Sequence, residues 1–106
     1  SNRNYDNKNV NLKKCLSRNL RVNAFQEDPY NQVDGFLGQG LPEDTPYWSK
    51  AGLMSKVRND AAWWINNESS QTLLVVFGDG KEFSDDELFL PQLSREIYKY
   101  NQKQLI

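Results

Sequence analysis

Three short apolar runs, at 48–53, 60–65 and 72–77, constrain this chain more than any other feature, and all three tryptophans lie within them. Polar turn formers separate the runs. Each is long enough for a strand and too short for an average helix. AAWWI and LLVVF do not alternate apolar with polar residues, so both faces of those two strands are expected to be covered. The linker Asn66-Asn67-Glu68-Ser69-Ser70 is rich in turn formers, which predicts an antiparallel hairpin between the last two runs. The expected centre is therefore a three-stranded antiparallel meander, at about 47–53, 60–66 and 71–78.

Two absences narrow the chemistry. The chain has no histidine, which removes Ser-His-Asp and Cys-His catalysis, HExxH metalloproteases and the common zinc sites. Its single cysteine, Cys15, allows neither an internal disulfide nor a thiolate metal site. No metal and no cofactor is expected. Thirteen basic residues against 14 acidic ones create no field that would draw in nucleic acid or an anionic membrane. No apolar run approaches the roughly 20 residues that cross a bilayer. With 106 residues there is room for one small domain.

Outside the meander the signals are helical or irregular. Residues 1–9 are almost wholly polar and are expected to be a disordered or artificial tail, leaving 10–106 as the folded segment. Leu12, Cys15, Leu16 and Leu20 follow helical spacing, predicting an amphipathic helix over about 10–20 with Cys15 on its buried stripe. Residues 23–46 carry no period. Phe25, Tyr30, Val33, Phe36, Leu37 and Leu41 within them indicate a long connection packed against something. Met54 to Asn59 is expected to be a polar connection. At the other end, Ser84 and Glu87 match a capping box, with Phe83 and Leu88 as a hydrophobic staple. Phe89, Leu93, Ile97 and Tyr100 extend a helix over about 84–104, kinked or split by Pro91. The class is thus α+β. Its weak point is the last strand, an apolar edge of the kind proteins avoid leaving bare. Either a strand from elsewhere in a parent chain or a second copy should pair at 72–77.

Lys50-Ala51-Gly52 on a first strand, a turn, Arg58-Asn59-Asp60, an apolar hairpin and a terminal helix form a recognisable order. In GFLGQGLPEDTPYWSKAGLMSKVRNDAAWW, and in element order from Leu12 to Tyr100, the chain resembles the C-terminal third of class A β-lactamase-like serine hydrolases. These are the penicillin-recognising serine acyl-enzymes, marked by Lys-Thr/Ser-Gly on a sheet strand. The resemblance implies a larger α/β sandwich whose N-terminal remainder would be the partner, and acyl-enzyme hydrolysis of a small amide or ester. Lys50 would place positive charge beside substrate and nucleophile, and Gly52 would let substrate approach the strand. The backbone N–H of Leu53 would be an oxyanion-hole donor. Arg58 would help hold a substrate carboxylate, Asp60 would be structural, and the family's location implies an exported or periplasmic protein.

Ala51 departs from the pattern. The hydroxyl that the family carries there donates to the substrate carboxylate, and alanine has none. A hydrogen bond to a charged group is worth about 1.5–3 kcal/mol, so its loss weighs against penicillin hydrolysis and leaves acyl transfer on another ester or amide open. No Ser-x-x-Lys occurs, so the nucleophile is expected outside these residues and this segment is expected to be inactive alone. Ser17-Arg18-Asn19 imitates the family's Ser-x-Asn but lies only 33 residues before Lys50. The alternative from the same residues is a small standalone interaction module, of inhibitor or immunity type, acting through its aromatic strand face.

Overall fold

The most apolar part of the chain folds as two antiparallel hairpins in series. The computed structural model describes residues 12–20 and 31–104. Strands β2 (Tyr47–Met54), β3 (Val57–Asn67) and β4 (Ser70–Asp79) form the meander, and β1 (Ser17–Arg18) joins its first edge. The fold is α+β, with a four-stranded antiparallel sheet in the order β1-β2-β3-β4. Trp48 lies opposite Trp63, Lys50 opposite Ala61, and Gly52 opposite Asn59. Ala61 in turn faces Val75, and Trp63 faces Leu73. The polar connection expected at 54–59 shrinks to a two-residue turn, because β2 and β3 pair as far as Met54 and Val57.

Burial alternates along all three long strands, which corrects the expectation that both faces are covered. Tyr47, Ser49, Ala51, Arg58, Asp60, Ala62 and Trp64 point to the covered face, with half-buried Leu74 and Val76. Trp48, Lys50, Gly52, Asn59, Ala61, Trp63, Leu73, Val75 and Phe77 point to the other. Apolar continuity along a strand did not require two cores; among the described residues it left one apolar face open.

The covering layer comes from the long connection and the C-terminal helix. A 3-10 turn, Leu37–Gly40, is wedged between sheet and helix. The Leu37 N–H donates to Asp60 Oδ2 on β3 at 3.0 Å, and its carbonyl accepts from Ser94 Oγ on the helix at 2.6 Å. At Gly40 the approach is so close that a Cβ would meet the Pro91 carbonyl and Ser94 Oγ. Phe36, Leu37, Leu41, Tyr47, Ala62, Trp64 and Leu90 form the buried core. The expectation that the aperiodic stretch packs holds for Val33, Phe36, Leu37 and Leu41, all buried. Phe25, Tyr30 and residues 1–9 lie outside the described residues.

Several helix expectations need correction. Residues 12–16 are helical, but the chain is extended at Ser17–Arg18, so the expected helix over 10–20 stops early within the described residues. Arg18 Nη2 donates to the Ser49 carbonyl at 3.1 Å, a tertiary bond that helps draw the chain onto the sheet. Cys15, expected to be buried, is exposed. The helix expected over 84–104 is two helices, α1 (Lys81–Asp85) and α2 (Phe89–Gln104). Ser84 is no cap: its hydroxyl donates to the Ser55 and Lys81 carbonyls. Asp86 takes that role, its Oδ1 accepting the Leu88 and Phe89 N–H groups. Pro91 then falls in the first turn of α2, where a missing N–H leaves no bond unmade. The buried stripe of α2 runs through Leu90, Ser94, Ile97 and Tyr98; Phe89 and Tyr100 are exposed.

Candidate functional site

The site residues named from the sequence sit at the end of β2 that β1 leaves unpaired. β1 pairs only with Tyr47 and Trp48, so from Ser49 onward the outer edge of β2 has no strand beside it among the described residues. Backbone groups in an antiparallel strand point to alternate sides. The Ser49 carbonyl accepts from Arg18, and the Ala51 N–H donates to Gln32 Oε1 at 2.9 Å, so the odd-numbered residues face the open edge. Leu53 shares that parity. Its N–H therefore emerges on the same edge, two residues beyond the triplet alanine.

Lys50 lies on the open face with its side chain exposed. It bends back to the edge, where Nζ donates to the Ala51 carbonyl at 2.6 Å and, over a longer 3.4 Å, to Gln32 Oε1. The Ala51 side chain points the other way, into the core. Gly52 is exposed, and its φ lies outside the left-handed region. A Cβ there would meet only the Asn59 Cβ, 4.0 Å away. Neither backbone geometry nor packing within the chain demands glycine at 52, in contrast to Gly40. The space above it is open to a ligand.

Arg58 and Asp60 occupy the opposite, covered face. The Arg58 guanidinium donates through Nε and Nη2 to the Ser84 carbonyl, at 3.0 and 2.9 Å, and through Nη1 to the Gly35 carbonyl at 2.9 Å. It also stacks over the Phe36 ring, 5.0 Å from the centroid. The structure therefore does not bring Arg58 together with Lys50: its fork is committed to two backbone carbonyls that tie α1 and the connection to β3. Asp60 is fully buried and accepts from Leu37 N–H and, at 3.4 Å, from the Tyr47 hydroxyl. Burial pushes its carboxyl up to about 6, against the opposing pull of these hydrogen bonds. The Tyr47 phenol is pushed well above its usual value by burial and by the neighbouring carboxylate.

The rest of the open face is aromatic and aliphatic. Trp48 and Trp63 stack with centroids 4.6 Å apart, and Lys13 Nζ sits 5.3 Å above the Trp63 ring. Leu73 and Phe77 are 75% and 80% exposed. β4 carries them along an edge that has no partner strand among the described residues, with neither proline nor lysine in the strand. Gln32, which holds both Lys50 and Ala51, was not singled out from the sequence. It belongs to an aperiodic stretch with no motif or repeat to mark it. Comparison of the chain with protein-family models, with curated proteins and with solved structures returns no match.

Proposed function

We propose that this chain is the C-terminal part of a β-lactamase-like serine hydrolase, in which β2 forms the substrate-side strand of the active site. The observation that carries this reading is the conjunction at 50–53: a lysine, a glycine that packing does not require, and a main-chain amide aimed off an edge with no partner strand among the described residues. An amide or ester carbonyl seated beside that edge would place its oxygen against the Leu53 N–H as negative charge develops. One such donor is worth about 3 kcal/mol to the transition state. The Lys50 ammonium would stabilise the same charge. The serine nucleophile and its paired lysine would come from the remainder of the parent, completing a larger α/β sandwich. That remainder would pair at the β4 edge and cover the open face, which agrees with the exposed Leu73, Val75 and Phe77. Arg58 does not enter this proposal, because its donors are already occupied.

The test is made on the full-length product of the reading frame. An upstream Ser-x-x-Lys is expected, and an activated-ester probe should label its serine. Lys50→Ala should slow labelling by about 100-fold or more. A start codon and ribosome site immediately before Ser1, or labelling indifferent to Lys50, would sink the proposal. Penicillin labelling is expected to be weak, since the side chain at position 51 points into the core and gives a substrate carboxylate no donor.

The second reading is a standalone interaction module acting through the Trp48–Trp63 stack and the exposed aliphatic row of β4. A contiguous apolar sheet face of this kind is a recognised binding surface. It predicts a partner protein whose binding is lost on Trp63→Ala and is indifferent to Lys50.

A further inference from the structure

We propose that a second copy of this chain pairs antiparallel along β4, about a two-fold axis at Val75, joining two four-stranded sheets into one. The inference rests on the interaction-module reading and names its partner. Under the hydrolase reading the parent's remainder would hold the same edge, so the two readings differ in outcome.

The two edges of the sheet are finished differently. At β2 the outward backbone groups meet side chains: the Ser49 carbonyl accepts from Arg18, the Ala51 N–H donates to Gln32, and the Ala51 carbonyl accepts from Lys50. A strand arriving there would have to displace them. On β4 the outward groups follow from the register. Even-numbered residues of β2 bond to β3, Gly52 lies opposite Asn59, and Asp60 lies opposite Val76, so even-numbered residues of β4 bond inward. Leu73, Val75 and Phe77 therefore turn both N–H and C=O outward. No strand or side chain among the described residues bonds to those groups.

The run Leu73-Leu74-Val75-Val76-Phe77 is matched to its own antiparallel copy. A two-fold axis at Val75 sets Val75 against the partner's Val75 and Leu73 against the partner's Phe77, each pair exchanging N–H···O bonds. The same three residues carry their side chains onto the open face, where Leu73, Val75 and Phe77 are 75%, 49% and 80% exposed. Backbone pairing and one continuous apolar row thus form together. No charged side chain lies between Ser70 and Gly78, and Asp79 falls opposite the partner's Gln71, so no like charges meet across the pair. The register shift between β3 and β4 lies at Ile65/Asn67, beside the turn, and no proline or lysine guards the strand. A copy of the chain brings the same uncharged, unguarded strand in the orientation that fits.

Sedimentation of the 106-residue chain should show its mass doubling between about 5 and 500 μM, since one strand pair is at the small end of interface sizes. Val75→Pro removes an outward N–H and no bond to β3, so it should stay monomeric with an unchanged far-UV circular dichroism spectrum. Should that proline unfold the chain, a cysteine series decides alone. It uses a Cys15→Ser background, because Cys15 is exposed, and oxidised glutathione as the oxidant. Val75→Cys should link to itself, because paired Cα atoms stand about 5.5 Å apart. Leu73→Cys and Phe77→Cys, each about 13 Å from its own copy in this register, should stay unlinked alone and link when mixed. A chain still monomeric at about 500 μM, or linkage indifferent to position, would overturn the proposal. If that monomeric chain bound another protein through Trp63, the interaction-module reading would stand with a different partner. A longer upstream product in which Val75→Cys stays unlinked would overturn the proposal in favour of the hydrolase reading.

Discussion

The two faces of the sheet are built from the same strands and both carry tryptophan, yet they do different work. On the covered face, Trp64 is wholly buried beneath Leu37 and Leu90, and the polar side chains of Arg58 and Asp60 reach backbone groups of the connection and α1. On the open face, Trp63 stacks on Trp48, Leu73 and Phe77 stand in solvent, and Lys50 reaches the edge rather than a packed neighbour. Burial of apolar area stabilises by about 25 cal/mol per Å², so the covered face holds this chain together. The open face contributes little to the isolated chain and is therefore available for binding or for docking.

The largest expected effect tests that difference directly. Trp64→Ala should lose about 3–5 kcal/mol of stability, the usual range for truncating a buried aromatic. Trp63→Ala, one residue away, should lose less than about 1.5 kcal/mol, the worth of an aromatic pair beyond its area. Urea titration followed by far-UV circular dichroism measures both. Equal losses would mean that the open face is covered in solution and that the comparison fails.

Arg58 comes next. Arg58→Met keeps the apolar stem over Phe36 but leaves the Ser84 and Gly35 carbonyls without their donors. A loss of about 2–4 kcal/mol is expected, together with faster amide exchange in α1, which those bonds anchor. Arg58→Lys should recover little, because a point charge cannot span two carbonyls. An unchanged urea midpoint would instead return Arg58 to the surface, where a substrate role would be open to it.

Asp60 gives the covered face a pH dependence of its own. Its carboxyl is raised from 3.8 to about 6 in the folded chain, so the folded state holds the proton more tightly than the unfolded one. The stability that this proton confers is complete below about pH 4 and is lost as pH rises to about 6. Asp60→Asn should remove that decline, because an amide oxygen can still accept from Leu37 while the NH2 donates to the Tyr47 oxygen. Between pH 4 and 7.5 the gap between variant and parent should move in favour of the variant by roughly 1–3 kcal/mol. Parallel curves would show that the burial penalty is already relieved, with Arg18 an opposite charge that favours the carboxylate.

The same contrast explains what was legible in the sequence. The meander could be read because its runs are apolar and its linkers are turn formers, both of which are local properties. One-sided burial could not, since AAWWI and LLVVF are continuous whether or not a second layer lies over them. β1 escaped because two residues carry no period, and the Arg18 bond to Ser49 that tethers it spans 31 positions. Ser84 has the spacing of a capping box, but its hydroxyl finds a closer acceptor in Ser55 across the fold. At the candidate site, Lys50 to Leu53 announce themselves as a triplet and its neighbour. Gln32 joins them only through a contact 18 or 19 positions distant.

The smallest expected effect is the most informative about the open face. Leu73→Lys combined with Phe77→Lys changes two side chains that are 75% and 80% exposed, so less than about 0.5 kcal/mol of stability should be lost. The lysines would also guard an edge strand that has no charged side chain between Ser70 and Gly78. If copies of the chain pair along β4, sedimentation at high concentration should show association in the parent and its loss in the variant. Under the hydrolase reading the same pair, placed in the full-length product, should instead lower stability by several kcal/mol, because each ammonium would be buried against the covering layer. A variant that is neutral in both contexts would mean that nothing docks on this face. The apolar row would then call for a different explanation from the one its exposure invites.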